Sequence, residues 1–211
     1  MTTARVTPDQ VATFERCMAV GGVAVFPADT VYGLACEPES QEAVHRRYTL
    51  KGRRPDRPAA VMFFSTELAF AALPELGPRT TAGMEALLPG GVTLLVPNPA
   101  ERFPLACGPD PSTLGIRVPA FSPAANALHA VHWPVLQSSA NTSGGADPRS
   151  VADVPEFVRQ GADLVLDAGE LPGTASTVVD LRRYEVDGTW RILRIGAVAE
   201  ECVAVALAAS A

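Results

Sequence analysis

Residues 22–64 hold the pattern that most constrains how this chain can fold. They read as a strand, a polar turn, a helix, a basic loop and a second strand. The two apolar runs, at 23–26 and 59–64, are short and uninterrupted, which is typical of strands buried on both faces of a sheet. Helices must then cover that sheet, so the pattern predicts an α/β fold.

The rest of the chain repeats this alternation without a strict strand–helix–strand rhythm. Residues 31–35 are predicted to continue in extended or irregular form, and further strands are predicted at residues 92–96, 114–118, 135–137, 163–167, 177–181 and 190–195. Helices are predicted after a Thr7 cap and at residues 40–50, 66–73, 79–88, 122–132, 150–160 and 197–209. Residues 98–112, with four prolines, are predicted to form a surface loop, and Asp187-Gly188 a hairpin turn. We expect one α/β (α+β) domain over residues 1–211, with a twisted mixed sheet flanked by helices.

The basic loop predicts an anion site. Residues 46–57 carry six cations and one acid in a chain whose net charge is -6. Concentrated cations in an acidic protein favour a small polyanion, with phosphate the first candidate. One of the six is the only lysine of the chain. A lone lysine among arginines suggests that this position needs a compact point charge rather than a planar guanidinium. The alternative is a solvated basic loop. The six cations are Arg46, Arg47, Lys51, Arg53, Arg54 and Arg57.

Composition excludes several classes of protein. Hydrophobic residues make up 47% and charged residues 19%, as in a globular protein with a substantial core. No apolar run reaches the roughly 18 residues of a membrane span, and the N-terminal residues do not read as a signal peptide. The pI near 5.1 argues against nucleic-acid binding over a wide surface but allows one basic groove. We therefore expect a cytoplasmic protein without membrane contact.

Cysteine and histidine spacing does not suggest a metal site. The four cysteines are scattered and form no CxxC pair, so we expect reduced, mostly buried thiols. The histidines His45, His129 and His132 are interpreted as structural or surface residues. No serine, cysteine and histidine pattern indicates covalent catalysis.

Polar turns at strand ends are the other candidate ligand sites. Residues 138–145 offer hydroxyls, an amide and two glycines, as anion-binding turns do. Residues 27–30 and 173–177 are two more polar turns at strand ends, where α/β proteins bind ligands. A plain loop is the alternative for each. Arg117 lies inside an apolar strand, so it needs either a partner or a site to face, unless it points to solvent from an edge strand.

Several of these segments together resemble the YrdC/Sua5 family of threonylcarbamoyl-AMP synthases. Residues 25–34 read VFPADTVYGL, residues 51–53 KGR and residues 139–141 SAN, which are similar to three signatures of that family. Residues 89–93 (PGGVT), 115–119 (GIRVP), 176–180 (STVVD) and 193–196 (LRIG) resemble its later blocks. The blocks occur in the family's order from about residue 20 to 196.

The resemblance implies one domain with a large, positively charged, concave groove. It implies ATP, L-threonine and bicarbonate as substrates, with Mg²⁺, and no metal site built by the protein alone. Lys51 and Arg53 would be catalytic and bind the phosphates, together with Arg117, Ser139, Asn141 and Arg194 as ATP-binding residues. Thr30, Tyr32 and Ser176 would bind threonine. Downstream proteins would then transfer the threonylcarbamoyl group to tRNA.

The chain departs from the family pattern at four positions and leaves two alternatives open. Ala28, Ala59, Gly91 and Ile195 replace residues more usual in the family, and none removes a charged or hydrogen-bonding motif residue. Because the chain ends at residue 211, we expect the short form without a further C-terminal domain. The alternatives are an RNA-binding module with the same groove and a related carbamoyl-adenylate enzyme with another acceptor.

Overall fold

The computed structural model describes residues 4–54 and 56–210, and its strands form one mixed sheet. The order across the sheet is β7-β1-β2-β6-β3-β5-β4-β8-β9. The pairs β1/β7, β3/β5 and β4/β8 are parallel and the others antiparallel. The α/β class with a mixed sheet is thereby confirmed. The strands are β1 Val23–Pro27, β2 Tyr32–Cys36, β3 Ala60–Met62, β4 Val92–Pro97, β5 Thr113–Arg117, β6 Val135–Ser139, β7 Leu164–Val165, β8 Thr177–Asp180 and β9 Arg191–Arg194.

Helices pack against this sheet, and the sequence signals mark several of their starts. Thr7 caps the first helix in a capping box with Gln10, and Ser40 caps the second. The α-helices are α1 Pro8–Ala19, α2 Gln41–Leu50, α3 Thr66–Ala72, α4 Pro78–Leu87, α5 Pro104–Cys107, α6 Glu156–Gly161, α7 Tyr184–Asp187 and α8 Glu200–Ala209. Two 3₁₀ helices span Asn126–Ala130 and Val151–Asp153.

The two faces of the sheet are covered unequally. One face carries a continuous apolar core under α2, α4 and α8, to which β4 contributes Val92, Leu94 and Val96. The other face has a smaller core, to which β1, β2, β3 and β6 contribute and in which Phe14 of α1 lies 5.5 Å from Phe26, ring centre to ring centre. The β4, β5 and β8 half of that second face is not covered by this core, and the candidate site lies there.

The helix predicted at residues 122–132 is wrong. The structure has only the 3₁₀ helix Asn126–Ala130, followed by an extended Val131. Ala125, Leu128 and Val131 are buried at a spacing of three residues, which is the period of a 3₁₀ helix rather than of an α-helix.

Three other local predictions need correction. The helix predicted at residues 150–160 is split, because Pro155 lacks an N–H and holds Val154 extended. The predicted surface loop at 98–112 contains α5, and Asn98 is buried, with its amide donating to Pro111 O at 2.9 Å. The strands β8 and β9 pair antiparallel as predicted, but α7 lies in their connection before Gly188.

Candidate functional site

A cavity of about 630 Å³ lies over the less covered half of the sheet's second face. This volume is within the usual range of small-molecule sites. Strands β3, β4, β5, β6 and β8 contribute its floor, from Ala60, Leu95, Gly115, Gln137 and Val178. Charged side chains line its walls: Arg53, Arg57, Arg117, Arg182, Arg194, Asp56, Asp110 and Asp147.

Lys51 supports the cavity from behind and is not one of its lining residues. Its side chain is 2% exposed, and Nζ donates to Ser139 O, to Asn141 O at 2.7 Å and to Asn141 Oδ1 at 2.9 Å. Three acceptors match the three N–H groups of an ammonium. Burial, with the positive charges of Arg47 and Arg53, lowers the pKa of Lys51 to about 7. The direct phosphate contact predicted for Lys51 would require one of these bonds to open.

The turn at residues 139–145 presents its backbone rather than its side chains. Asn141 Oδ1 accepts from Ser139 Oγ at 2.8 Å as well as from Lys51, and Asn141 Nδ2 donates to Gly145 O at 2.6 Å. Within the described residues, the backbone N–H groups of Asn141, Thr142 and Gly144 have no acceptor. The turn therefore offers backbone donors of the kind that bind anions.

Arg53 and Arg57 are cavity residues that lack a carboxylate partner in the part of the chain the structure describes. Arg53 Nη2 donates to Pro58 O at 2.7 Å, which fixes the side chain without neutralising it. Arg54, by contrast, forms an ion pair with Asp56 at 2.6 Å and is largely exposed. Of the basic loop, the structure thus brings Arg53 and Arg57 to the cavity.

Arg117 faces the site and not solvent, so the edge-strand alternative is wrong. Its side chain is 4% exposed and that of Asp29 is 5% exposed, and the two form an ion pair at 2.6 Å. Arg117 Nη2 also donates to Thr30 Oγ1 at 3.3 Å. Burial raises the pKa of Asp29, and the charge of Arg117 opposes that rise. The pair holds the turn at residues 27–30 over the end of β5.

Ser176, Thr93 and Arg194 form a second polar group on the cavity wall. The hydroxyls of Thr93 and Ser176 lie 2.8 Å apart. Arg194 Nη2 donates to Ser176 O at 2.7 Å and to Ser176 Oγ at 3.2 Å. Gly196 makes this close approach feasible, because a Cβ there would lie 2.1 Å from Ala175 O.

Tyr32 lies outside the cavity lining and is fully buried. Its hydroxyl donates toward Asp167 Oδ1 at 2.9 Å and Gly169 O at 2.7 Å, and accepts from Ala168 N at 3.0 Å. Gly173 N, in the same loop, donates to Thr30 O at 2.8 Å. Tyr32 therefore anchors the loop that holds Thr30, so any effect it has on a ligand is indirect.

Sequence reasoning missed several cavity residues, among them Thr93, Gln137 and Asp147. The sequence did contain a signal for Thr93. Side chains of a strand alternate between the two faces of the sheet, so Thr93 of β4 lies on the same face as the cavity residue Leu95. Gln137 carried no signal, because it reads as part of a short buried strand.

The described residues contain no group of three or more histidine, cysteine or acidic side chains that could hold a metal ion. None of their helices combines the length and apolar character needed to cross a membrane. The thiols are free, but only Cys36 and Cys107 are buried, so the expectation of mostly buried thiols is half right. His129 Nδ1 lies 3.1 Å from Phe64 O, a structural contact.

Comparisons with known proteins point to one family. The Sua5/YciO/YrdC family model, described as telomere recombination, matches residues 16–196. The threonylcarbamoyl-AMP synthase of Hahella chejuensis is 32% identical over 154 residues, covering 72% of this chain and 82% of that protein. The enzyme of the same name from Pyrococcus abyssi is 30% identical over 165 residues, covering 78% of this chain.

A solved structure gives the same result for the fold. P. abyssi Sua5 in complex with L-threonine superposes with a TM-score of 0.82 at 26% identity, over 96% of this chain and 58% of that one. The match covers 48% of the P. abyssi synthase in sequence, so this chain spans about half the length of that relative.

Proposed function

The chain belongs to the Sua5/YciO/YrdC family, and from this premise we propose that it forms L-threonylcarbamoyl-AMP and pyrophosphate from L-threonine, bicarbonate and ATP. It would thus be a nucleotidyltransferase. The observation that carries the proposal is the joining of three groups around one cavity: Thr30 with Arg117, Ser176 with Arg194, and Arg53 with the turn at residues 139–145. These groups suit an amino acid and a polyanion held side by side.

The amino-acid end of the site is formed by Thr30, Ser176 and the two arginines beside them. Arg117 is neutralised by Asp29, whereas Arg194 has no carboxylate partner in the described chain. Arg194 is therefore the cation we assign to the threonine carboxylate, with the hydroxyl of Ser176 beside it. Arg117 fixes Thr30, and Tyr32 fixes the loop behind it.

The phosphate end is formed by Arg53, Arg57 and the free N–H groups of the turn. The threonine amine forms a C–N bond with the bicarbonate carbon, and water leaves to give a carbamate. A carbamate oxygen then attacks the α-phosphorus of ATP. One P–O bond forms, and the P–O bond to pyrophosphate breaks. Because both reactants are anions, the site must neutralise charge and hold them in line, and no covalent nucleophile is needed.

Lys51 acts in this proposal through the turn that it holds. Its ammonium lies behind Ser139 and Asn141, where it adds positive charge to the phosphate end and fixes the direction of the backbone N–H groups. This also explains why the position is a lysine, since a planar guanidinium would not place three donors on these converging oxygens.

Mg²⁺ would enter with the triphosphate and would neutralise charge on the leaving pyrophosphate. Magnesium in such sites uses one or two carboxylates and the substrate's own phosphates. Asp147 is the cavity carboxylate next to the turn, with Oδ1 3.4 Å from Asn141 Nδ2. Asp147 could therefore supply the one carboxylate that a Mg²⁺ ion bound to the triphosphate would use.

The product would pass to proteins that transfer the threonylcarbamoyl group to tRNA. A weak contact with tRNA and a cytoplasmic location are also part of the prediction.

Pyrophosphate release tests the function directly. The purified protein is incubated with ATP and Mg²⁺, with and without L-threonine and bicarbonate, and with L-serine replacing threonine. We expect release that needs both threonine and bicarbonate.

Release that ignores threonine would assign the cavity to another acceptor. ATP binding without any release would leave a binding module, and salt-dependent RNA binding by the same protein would then identify its ligand.

A further inference from the structure

Arg47 is a buried cation that no carboxylate of the described chain neutralises. Its side chain is 0% exposed, and no acidic residue acts on its charge. Nε donates to Leu34 O at 3.1 Å and Nη2 to Ser138 Oγ at 2.6 Å, while Nη1 has no hydrogen-bond partner among the described residues. Neutral groups alone therefore surround this charge, including the ring of Tyr48, whose centre lies 5.3 Å from Arg47 Cζ.

A charge in such a place is costly to the fold. A guanidinium keeps its proton inside a protein, so burial cannot turn Arg47 into a neutral group. Replacing buried ions by apolar side chains of similar size is often neutral or stabilising, because the ions lose their hydration. Proteins break such rules mainly at sites where function requires it. The burial of Arg47 thus calls for a functional reason.

The surroundings of Arg47 supply that reason. Arg47 and Lys51 are four residues apart at the end of α2, so they lie on one helix face, one turn apart. Lys51 is bonded to Ser139 O and Asn141 O. Arg47 is bonded to Ser138, the residue before them, where β6 leads into the turn. Since Ser138 and Ser139 line the cavity, two buried cations lie directly behind the wall that presents the backbone N–H groups of the turn.

The charge balance behind this wall favours an anion in front of it. The charge of Arg53 acts on Arg47, and the charges of both act on Lys51. Asp147 is the carboxylate whose charge opposes them at Lys51. Within the described chain, three cationic groups are thus opposed by one carboxylate, and a bound polyanion would remove the imbalance.

We propose that Arg47 is a positioning residue of the phosphate end: it fixes Ser138 and adds positive charge behind the turn that binds the phosphates of the substrate, although it destabilises the fold. Arg47 does not contact the phosphates and acts beside Lys51 from the far side of the wall. The inference rests on the proposed function in that a polyanion binds at the turn.

Arg47→Met tests the proposal, because methionine fills the same space without the charge. Calorimetry measures the binding of inorganic pyrophosphate and of L-threonine, and urea denaturation measures stability. Pyrophosphate binding should weaken by about 5- to 20-fold, the effect of removing one unit charge at roughly 10 Å across protein. Threonine binding should change far less, because its carboxylate is assigned to Arg194. The urea midpoint should equal or exceed that of the wild type.

Arg46→Met is the matched control. Arg46 precedes Arg47 in α2 and the substitution removes the same charge, but Arg46 is 42% exposed and pairs with Asp163 at 2.6 Å, away from the cavity lining. This variant should bind pyrophosphate and threonine as the wild type does. Its urea midpoint should not rise, because it loses an ion pair at the surface rather than an unpaired buried charge.

Several outcomes would overturn the inference. Arg47→Met that fails to fold, or has a lower urea midpoint, would make Arg47 a structural residue. Unchanged pyrophosphate affinity, or an equal loss for pyrophosphate and threonine, would remove its link to the phosphate end. Equal pyrophosphate losses in Arg46→Met and Arg47→Met would mean that net charge, and not the position of Arg47, sets the affinity.

The proposed function is tested separately from this residue. If the variants behave as expected but the wild type releases no threonine-dependent pyrophosphate from ATP, the role of Arg47 stands and the proposed function is overturned. A wild type that releases pyrophosphate in that assay while Arg47→Met binds pyrophosphate unchanged would confirm the function and overturn the role of Arg47.

Discussion

Asp29→Asn should destabilise the protein more than Arg117→Met, although the two variants break the same ion pair. Both side chains are about 95% buried and meet at 2.6 Å. A guanidinium cannot release its proton in a protein, so Asp29→Asn leaves a buried charge without a counter-ion. In Arg117→Met the remaining carboxyl can become neutral by binding a proton, and burial already raises the pKa of Asp29.

The structure sets the size of this difference. Removing one partner of a buried pair costs about 3 to 5 kcal/mol, and we expect this for Asp29→Asn. Such a loss corresponds to roughly 6 to 20 °C in Tm for a domain of this size. For Arg117→Met we expect about 1 to 3 kcal/mol, because the cost is limited to protonating one carboxyl and losing one side chain's packing.

Urea denaturation of the wild type, both single variants and the double variant is the assay. The double variant should be more stable than Asp29→Asn alone, which gives a coupling energy of the expected sign. The pH dependence provides a second check. In Arg117→Met the folded-state pKa of Asp29 lies above its unfolded value, so its folded form binds the extra proton and stability falls as pH rises through that folded pKa. The deficit of Arg117→Met should therefore shrink as the pH is lowered from 7 through the raised folded-state pKa of Asp29.

Two results would refute the reasoning. Equal losses in both single variants with no recovery in the double variant would mean that packing, and not charge, sets the cost. A deficit of Arg117→Met that stays constant as the pH is lowered from 7 to the unfolded-state pKa of the carboxyl would mean that Asp29 does not neutralise itself. Either result would also remove the argument that assigns Arg194, rather than Arg117, to the threonine carboxylate.

Three further predictions follow from other contacts. The folded-state pKa of Lys51 is lowered to about 7 from an unfolded value near 10.5, so the unfolded chain binds more protons between these two pH values. Tm of the wild type should therefore rise from pH 7 to pH 10, and it should rise less in Lys51→Met. Arg53→Ala should weaken pyrophosphate binding by about tenfold or more, because it removes one charged hydrogen bond. Its Tm should stay within about 2 °C of the wild type. A large fall in Tm would show instead that Arg53 has a structural role. Tyr32→Phe should lower the free energy of unfolding by about 1 to 3 kcal/mol, because Asp167, Ala168 and Gly169 lose their hydrogen bonds to the hydroxyl. It should also raise the KM for threonine more than the KM for ATP. An unchanged urea denaturation curve would contradict this.

Local signals determined most of the elements but not all of their types. The cap at Thr7, the buried strand Val23–Pro27 and the helix Gln41–Leu50 agree with the sequence to within one or two residues. The helix predicted over residues 122–132 failed because a spacing of three buried residues looks helical in sequence, and only packing shows that the turn is 3₁₀.

The candidate site was predictable only in part. The short motifs contain Thr30, Lys51, Arg53, Ser139 and Ser176, and each is found in or next to the cavity. The sequence did not separate their tasks, since Lys51 and Arg53 are basic residues two positions apart in one predicted loop. Burial separates them: Lys51 has its three donors occupied within the protein, while Arg53 reaches the cavity.

The amino-acid sequence by itself determined most of the strands and helices, where cations concentrate and which family the chain resembles. These are properties of neighbours along the chain: apolar periodicity, caps, charge spacing and motif order. The tertiary structure decided which half of one sheet face stays open, that Arg117 is neutralised by Asp29, and that Gln137 lines the cavity. Those facts depend on strands far apart in sequence lying side by side, and no local pattern encodes the register that brings β6, β3, β5 and β4 into one floor.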